Sequence, residues 1–378
     1  MNPPPTPDLA QVEQPPLQAA PETPGAGSRR VWPTRLAWAA VVGVPLHVLV
    51  LWGSRSMPGA VESIYGHGLF PLFSALDARL DQLASPLSPA LALLTLLLAG
   101  LGWSVRGHEQ PKRRFAWRLF IAVVLVGHAF PLCWGWSYWR PAVLERKGIS
   151  LAPPQRADLE ATGILLGTAI NKARVEWPAD PDWHDLDRRV DAAVLAFLRA
   201  EGLDEAAQSR RIRFLPSGVM FVGGWTGVTI PWTTEGWVDP AVDPRVLPVS
   251  IAHEKAHQAG FARESDANLI AFLALLRSPD PDLRYAALFD LAPLFGAQVP
   301  VFLAPEVQKD LVEAVAREQE VKVQVVQEAT EAVYDSYLKA NAVEPGIDDY
   351  DVVAHLVQAW LSARPDDRAR LEAIAAGD

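Results

Sequence analysis

The chain contains a single cysteine, Cys133. A disulfide within the chain, a four-thiolate zinc site and an iron–sulfur cluster each need more than one thiol, so the sequence excludes all three. Positive charge is outnumbered by negative charge, since 34 Lys and Arg stand against 44 Asp and Glu and the formal net charge is −10 at pH 7. Proteins that bind nucleic acid need a clustered basic face to neutralise phosphates, so we predict no nucleic-acid partner. Any bound metal must be held by His, Glu or Asp.

Three long apolar runs occupy the N-terminal part of the chain, at 36–52, 89–105 and 119–139. They follow a tail at 1–28 that is rich in Pro, Gln, Ala and Gly and is predicted to be disordered. At about 1.5 Å per residue, each run nearly crosses a hydrocarbon core of roughly 30 Å. Trp and Tyr near the ends of the runs are typical of membrane interfaces. The sequence therefore predicts a membrane domain at 29–140 with three transmembrane helices.

Two of these runs have an alternative interpretation. A cleavable signal peptide would account for 36–52, although the Pro-rich stretch ahead of it is a poor charged n-region. A buried helix of a soluble protein would account for 89–105, because about 17 residues is the lower limit for crossing a bilayer. Both alternatives stay open at this point.

Lysine and arginine near the ends of the runs predict their orientation. The tail and the loop between the second and third runs are rich in basic residues, whereas the loop between the first and second has few. In a bacterium, the N-terminus is therefore predicted to lie on the cytoplasmic side of the cytoplasmic membrane, and everything after Arg140 on the outer side. The basic residues used are Arg29, Arg30, Arg35, Arg106, Lys112, Arg113, Arg114 and Arg118 on the inner side, and Arg55 and Arg79 on the outer side.

The outer part of the chain, 150–378, is predicted to be mainly α-helical with a small β element. Helical periodicity runs through 158–177 and through "LDRRVDAAVLAFLRAEG", which Gly202 ends. The stretch 211–238 is rich in β-branched and aromatic residues and predicts strands or a hairpin, with a turn at Gly223 and Gly224. Further helices are predicted in 282–341, where the charged half suits a coiled coil or a surface helix. "DVVAHLVQAWLSA" is predicted to be the last helix.

The stretch "SIAHEKAHQAGFARESDANLIA", 250–271, carries the chemistry. His253 and His257 are four residues apart, so a helix presents both imidazoles on one face, close enough to bind one tetrahedral zinc ion. Glu254 lies beside that face, where a carboxylate can act as general base. Gly260 can end the helix in a left-handed turn, after which a second helix starts.

The second helix presents Glu264 as the predicted third zinc ligand, with Asp266 as a rival. Asn268 lies four residues after Glu264 and suits a hydrogen bond to a ligand. Donors that would stabilise an oxyanion are not fixed by spacing. The candidates are Tyr334, Tyr337 and His355, for each of which packing on a helix is the more ordinary interpretation.

The sequence resembles a bacterial family of three-span membrane proteins catalogued as a domain of unknown function, with a zinc-peptidase-like H-E-x-x-H. The likeness extends over most of the chain from about residue 40. It rests on "PGAVESIYGHGLFPLFSAL", "WGWSYWR", "NKAR", "IPWTTEG", "AHEKAHQAGFARESDANLIAFLA" and "VYDSYLKANAVEPGIDDYDVV".

The resemblance implies roles for particular residues. The family's H-E-x-x-H-x-x-G-x-x-x-E-x-x-A-N pattern favours Glu264 over Asp266 as the third ligand. It falls on His253, Glu254, His257, Gly260, Glu264, Ala267 and Asn268. The family's P-x-T-x-E and Y-D-x-Y-L-K segments imply candidate cleft residues, which here are Glu235, Tyr334 and Tyr337.

Motif and resemblance together predict a zincin-like domain outside the membrane that hydrolyses peptides or envelope proteins with Zn²⁺ and Glu254. One alternative is a non-catalytic membrane receptor or scaffold with a structural zinc or no metal. Another is an amidase that acts on cell-wall peptides. An intramembrane protease is excluded, because Lys255 and Arg263 flank the histidines and "ANLIAFLALL" is too short to cross a bilayer. The sequence does not predict an oligomeric state.

Overall fold

The structure, a computed structural model, describes residues 50, 52–84, 87–107, 110–152, 154–176, 182–203, 206–295, 303–340 and 352–377. The predicted tail and almost all of the predicted first span lie outside these described residues. The described part is mainly helical with one small sheet, as the sequence predicts.

The elements follow in chain order. The α-helices are α1 (Pro58–Val61), α2 (Phe70–Ala84), α3 (Pro89–Ser104), α4 (Pro111–Cys133), α5 (Val143–Arg146), α6 (Arg156–Ala173), α7 (Trp183–Glu201), α8 (Leu247–Gln258), α9 (Glu264–Leu276), α10 (Pro281–Leu291), α11 (Pro305–Val321), α12 (Gln324–Ala340), α13 (Val353–Ala363) and α14 (Pro365–Ala376). The strands are β1 (Ile212–Phe214), β2 (Gly227–Ile230) and β3 (Glu235–Val238). A π-helix, Glu62–Leu69, joins α1 to α2, and 3₁₀ helices cover Gly135–Trp139, Phe221–Gly223 and Ala292–Phe295.

One helix of the described chain, α4, is long and apolar enough to cross a membrane. It has 23 residues and almost none of its apolar stretch is buried in the protein. α3 is also apolar but has 16 residues, and it exposes a series of leucines. By length and composition, α4 suits a bilayer. The number of crossings and their orientation stay predictions.

The predicted third span, 119–139, is wrong at its C-terminal end. α4 starts at Pro111 and stops at Cys133, and the next residues form a 3₁₀ helix. Trp134, Tyr138 and Trp139 were expected at the lipid interface, but the protein buries them. Aromatic residues at the end of an apolar run give the same sequence pattern whether lipid or protein covers them, so the sequence could not separate the two.

The β element confirms the predicted strands but not the predicted turn. β2 and β3 form an antiparallel hairpin, and β1 adds to β3 in parallel, so the order is β1-β3-β2. The hairpin turns at 231–234, where Thr234 has a φ of 43°. Gly223 and Gly224 instead end a 3₁₀ helix, with Gly224 in the left-handed region. A pair of glycines marks a backbone reversal without specifying which kind.

The C-terminal helices differ from the prediction in two places. The charged stretch after residue 304 forms two helices, α11 and α12, which are separated at Lys322 and Val323, so a single long helix is wrong. α13 is not the last helix, because α14 follows it and packs on α6. The signals for α14 were present: Pro365 at its first position and Gly377 just past its end. At Gly202 the prediction is confirmed, since this residue ends α7 with a φ of 61°.

Helices α8 and α9 lie in the middle of the main core. Every residue of α9 except Asn268 is buried, including the apolar side chains of the run "ANLIAFLALL". A helix that is apolar all round belongs inside a protein or a membrane, and here α7, α8 and α10 surround it. Burial of each Leu or Ile side chain contributes about 1.5–3 kcal/mol. The turn between α8 and α9 is therefore held between two firmly packed helices.

A second cluster ties the segment 58–84 to the chain after α4. Its buried members are Val61, Tyr65, Phe70, Trp134, Tyr138, Trp139, Ala206 and Ala262. Beside it, Arg140 makes a bidentate ion pair with Glu62, with Nε–Oε2 at 2.6 Å and Nη2–Oε1 at 3.0 Å. The same guanidinium donates to the carbonyl oxygen of Gly260 at 3.3 Å. Fork-to-fork pairing fixes geometry as well as energy, so Arg140 joins three distant segments of the chain.

We predict that Gly260→Ala lowers the melting temperature of the purified protein by about 5 °C or more, because it costs several kcal/mol. Gly260 has a φ of 94°, and an added Cβ would overlap the ring of Phe70. The control is Gly59→Ala, at an exposed helical position with no heavy atom within 4 Å of the added Cβ. The control should melt like the parent. Equal melting of both variants would contradict the packing described for the turn.

Candidate metal centre

Helix α8 presents both histidines of the motif on one face. His253 and His257 lie near its C-terminal end, with ring centroids 4.5 Å apart and planes almost perpendicular. His257 is buried and His253 is partly buried. The spacing of four residues places both imidazoles on the same side of the helix, as the sequence predicts.

The turn at Gly260 brings Glu264 to these two rings. The N–H of Gly260 bonds to the carbonyl oxygen of His257 at 2.8 Å, and the chain then reverses into α9, which begins at Glu264. The Oε2 atom of Glu264 lies 3.0 Å from Nε2 of His253 and 3.6 Å from Nε2 of His257. Glu264 is only 2% exposed, so its carboxylate is aimed inward at the pair of imidazoles.

The three side chains fit a zinc ion. One ligand atom from each of His253, His257 and Glu264 lies within 4.8 Å of the others. Ligand atoms about 2.0–2.1 Å from a tetrahedral zinc are separated by roughly 3.3 Å, close to the two His–Glu distances above. Two imidazoles and one carboxylate are also donors that zinc accepts, with a fourth position left for water or substrate. Their assignment as ligands stays a prediction.

Hydrogen bonds behind the imidazoles orient them for this role. Nδ1 of His253 is 2.7 Å from Oδ1 of Asn268, the contact expected from the spacing of the motif. Nδ1 of His257 is 2.7 Å from the carbonyl oxygen of Phe261. Both partners are acceptors, so each Nδ1 donates its proton to them, which leaves Nε2, the nitrogen that faces Glu264, as the atom that would bind a metal ion.

Glu264 and Asp266, the two candidates for the third ligand, make different hydrogen bonds. Tyr334 donates its hydroxyl proton to Oε1 of Glu264, which fixes the second oxygen of this carboxylate. Asp266 instead accepts a hydrogen bond from the backbone N–H of Val143 at 3.0 Å, where it caps the short helix α5. The structure therefore brings Glu264, and not Asp266, to the histidines.

Two other sequence candidates, Glu235 and His355, do not reach the cluster. Glu235 is buried away from it and accepts hydrogen bonds from the hydroxyl of Ser88 and the N–H of Ala90, at the start of α3. His355 is exposed on α13. The side chain of Tyr337 lies outside the described residues. Among the predicted oxyanion donors, Tyr334 contacts the cluster, and it does so through Glu264.

Strand β2 holds the carboxylate of Glu254. The hydroxyl of Thr229 donates to Oε2 of Glu254 at 2.6 Å. A Cβ added at Gly227 would lie 2.5 Å from Oε1, so only glycine allows this approach. Sequence reasoning missed both residues. The signal was the spacing of two within a strand, which points Gly227 and Thr229 to the same face.

The electrostatics separate the two carboxylates of the motif. Burial raises the pKa of Glu254, against the opposing effect of both imidazoles. Burial acts in the same direction on Glu264, but His257 and His253 outweigh it and hold the pKa of Glu264 well below its ordinary range. For His257, burial favours the neutral form, yet the carboxylates of Glu264 and Glu254 raise its pKa to about 9. Two carboxylates whose pKa values are shifted in opposite directions are suited to different roles.

The cluster opens onto a cavity of about 730 Å³. Its walls are largely apolar and include Trp134, Phe272 and Leu294. Asp290 also lines the cavity, where its side chain is exposed. Sequence reasoning missed Trp134 and Asp290, because nothing in the local sequence indicates that either faces a cavity.

These features define a mainly helical protein with a helix suited to a membrane and a buried His–His–Glu cluster in a large cavity. The family model described as "Protein of unknown function (DUF3810)" matches residues 87–358. This match spans well over half of the chain, and the protein belongs to that family. The match leaves out "PGAVESIYGHGLFPLFSAL", one of the segments on which the resemblance rests. No curated protein and no solved structure matches the chain significantly.

We predict that Glu264→Gln weakens zinc binding by more than the roughly 100-fold that loss of an outer hydrogen-bond partner costs. Asp266→Asn should bind zinc like the parent, because an amide oxygen can still accept from the N–H of Val143. Zinc content after equilibrium dialysis of the detergent-purified full chain measures both, with circular dichroism as the check on folding. Loss of zinc in the Asp266 variant alone would show that the third ligand is assigned to the wrong carboxylate.

Proposed function

We propose that this protein is a zinc-dependent metallopeptidase of the HExxH type, anchored in a bacterial cytoplasmic membrane, that cuts peptides or envelope proteins outside it. The observation that carries the proposal is the convergence of His253, His257 and Glu264 on one point, with Glu254 in the same cavity. A structural zinc site has no need of a fourth, buried carboxylate beside it. A hydrolase needs such a group as general base.

Zinc bound at these residues would supply Lewis acidity, which polarises a carbonyl group and makes water a stronger nucleophile at neutral pH. Glu254 takes the proton from the attacking water and delivers it to the nitrogen that leaves as an amine. Because Thr229 holds Oε2, this proton moves at Oε1. The raised pKa of Glu254 brings its proton affinity closer to that needed at neutral pH, since a general base works best near the operating pH.

Strand β2 supports a peptide as the substrate. It is one of the two edge strands of the sheet, and its residues Gly227, Val228 and Thr229 line the cavity. An extended peptide can add to a free sheet edge through main-chain hydrogen bonds. A chain bound there runs past Glu254, whose carboxylate contacts Thr229 and closely approaches Gly227.

The three-span topology belongs to the same proposal. α4 begins with "PKRR", and the positive-inside rule puts such a segment in the cytoplasm. The other end of α4 leads directly into the part of the chain that carries the cluster, so the site would face outward. The bilayer is then a partner of α3 and α4, whose apolar side chains are exposed along much of each helix.

We predict that Glu254→Gln keeps its zinc and loses about 100- to 10,000-fold in the rate of casein hydrolysis, the range that general acid–base catalysis contributes. Glu372→Gln, at an exposed position of α14, is the matched control and should keep full activity. Digestion of purified cell-wall fragments beside casein tests for an amidase. A folded, zinc-loaded parent that cuts neither of these materials nor a peptide anchored in the membrane would contradict the proposal and leave a receptor or scaffold.

We predict that Thr229→Val moves the acid limb of the pH profile of kcat/KM to higher pH by about one unit. The hydroxyl of Thr229 stabilises the ionised form of Glu254, so its loss raises the pKa of the base, and activity then needs a higher pH. Thr168→Val, on the exposed face of α6, is the control. An unchanged or downward-shifted acid limb would show that Glu254 is not the group that titrates.

A further inference from the structure

The candidate centre lies at the end of helix α4. Trp134 directly follows Cys133, the last residue of that helix. The side chain of Trp134 is 3% exposed, lines the cavity and meets the ring of His257 edge-on, with centroids 5.8 Å apart. A single side chain thus separates the end of a helix suited to a membrane from a residue of the His–His–Glu cluster.

The β2–β3 hairpin reaches back along α4 beyond that level. Pro231 still lines the cavity, and the next residue, Trp232, donates its indole N–H to the carbonyl oxygen of Val126 at 3.2 Å. The ring of Trp232 also packs on Phe130, with centroids 6.0 Å apart. Val126 precedes the end of α4 by about two turns, or roughly 10 Å. The tip of the hairpin therefore lies beside the apolar part of the helix.

The exposed side chains at the hairpin tip and on the neighbouring part of α4 are typical of a lipid interface. Trp232 is 42% exposed, and tryptophan is the side chain most typical of the boundary between water and hydrocarbon. Near it on α4, Val123 and Val126 are exposed as well. Half-exposed apolar side chains at this level of α4 place the hairpin tip at the outer surface of a bilayer crossed by α4.

Strand β2 connects this surface to the proposed general base. It runs from Gly227, against Glu254, to Ile230, and the chain continues through Pro231 to Trp232. An extended chain covers roughly 3.3 Å per residue. Only about five residues therefore separate a peptide bond beside Glu254 from the level of the hairpin tip.

We infer that the substrate is itself anchored in the membrane and is cut within about ten residues of its anchor. The inference rests on the proposed function and narrows its substrate class. The segment next to the anchor pairs with the edge of β2, and its amide C–N bond is broken by one water molecule, which leaves a carboxylic acid on one fragment and an amine on the other. A peptide free in solution lacks the anchor that holds it at this edge.

The test uses the full chain in lipid nanodiscs and a probe with one transmembrane helix. The probe carries the same casein-derived cleavable sequence three times, at about 3, 15 and 30 residues from its helix, so that all copies share one surface concentration. Mass spectrometry of the fragments gives the cuts at each copy. We expect the nearest copy to be cut about tenfold more often than the farthest.

Variants of two exposed tryptophans distinguish the effect of the hairpin tip at the membrane from a general effect of losing an exposed tryptophan. Trp232→Ala should lower the near-to-far ratio by at least about threefold. Trp103→Ala, at the exposed far end of α3, should leave the ratio as in the parent. Equal cutting of all three copies, or a preference for the farthest, would overturn the inference while the peptidase stands. Failure to cut any copy, together with failure to cut soluble casein, would overturn the proposed function and the inference with it.

Discussion

The guanidinium of Arg140 connects the parts of the chain on which the centre depends. On one side it pairs with both oxygens of Glu62, and on another it donates to the carbonyl oxygen of Gly260. Arg146 adds a second cation to Glu62 at 3.2 Å. Burial opposes ionisation of Glu62, but these cations outweigh the effect of burial and lower the pKa of Glu62. Glu62 is therefore ionised and forms an ion pair with Arg140 beside the turn. Removal of one partner would leave an uncompensated buried charge.

The turn held by Arg140 decides the position of Glu264. Gly260 takes up the left-handed conformation, Phe70 packs where a Cβ would lie, and α9 then starts with Glu264 aimed at the two imidazoles. Behind α8, the buried Lys255 pairs with Asp187 and Asp191 of α7, at 2.8 and 2.9 Å. The helix that carries the histidines is thus fixed on the side opposite to the cavity. A centre with these supports needs little rearrangement before it binds a metal or a substrate.

The same packing places the cavity beside α4. Trp134 and Tyr138 line the cavity, pack with Trp139 against the segment 58–84, and belong to the stretch that supplies Arg140. A helix suited to a membrane and the candidate centre therefore share side chains. This arrangement is the physical basis for the inference that the substrate lies at the membrane surface, because no spacer separates Cys133 from the wall of the cavity.

Local rules in the sequence predicted the local features of the centre. The spacing of His253 and His257, the glycine at 260 and the hydrogen bond of Asn268 all follow from helix geometry, and Gly202 ends α7 as its pattern indicates. The failures concern contacts between segments far apart in the chain. Glu62 and Arg140 are 78 residues apart, and a single sequence does not predict that two residues so far apart form an ion pair. Thr229 meets Glu254 across 25 residues, and the burial of Trp134 and Tyr138 depends on the segment 58–84.

X-ray absorption at the zinc edge tests directly whether His253, His257 and Glu264 bind one zinc ion. We expect the zinc-loaded full chain to show two imidazole nitrogens at about 2.0–2.1 Å together with oxygen ligands. In His253→Ala, one imidazole should disappear from the spectrum. A metal shell without imidazole, or a spectrum that His253→Ala leaves unchanged, would contradict the claim.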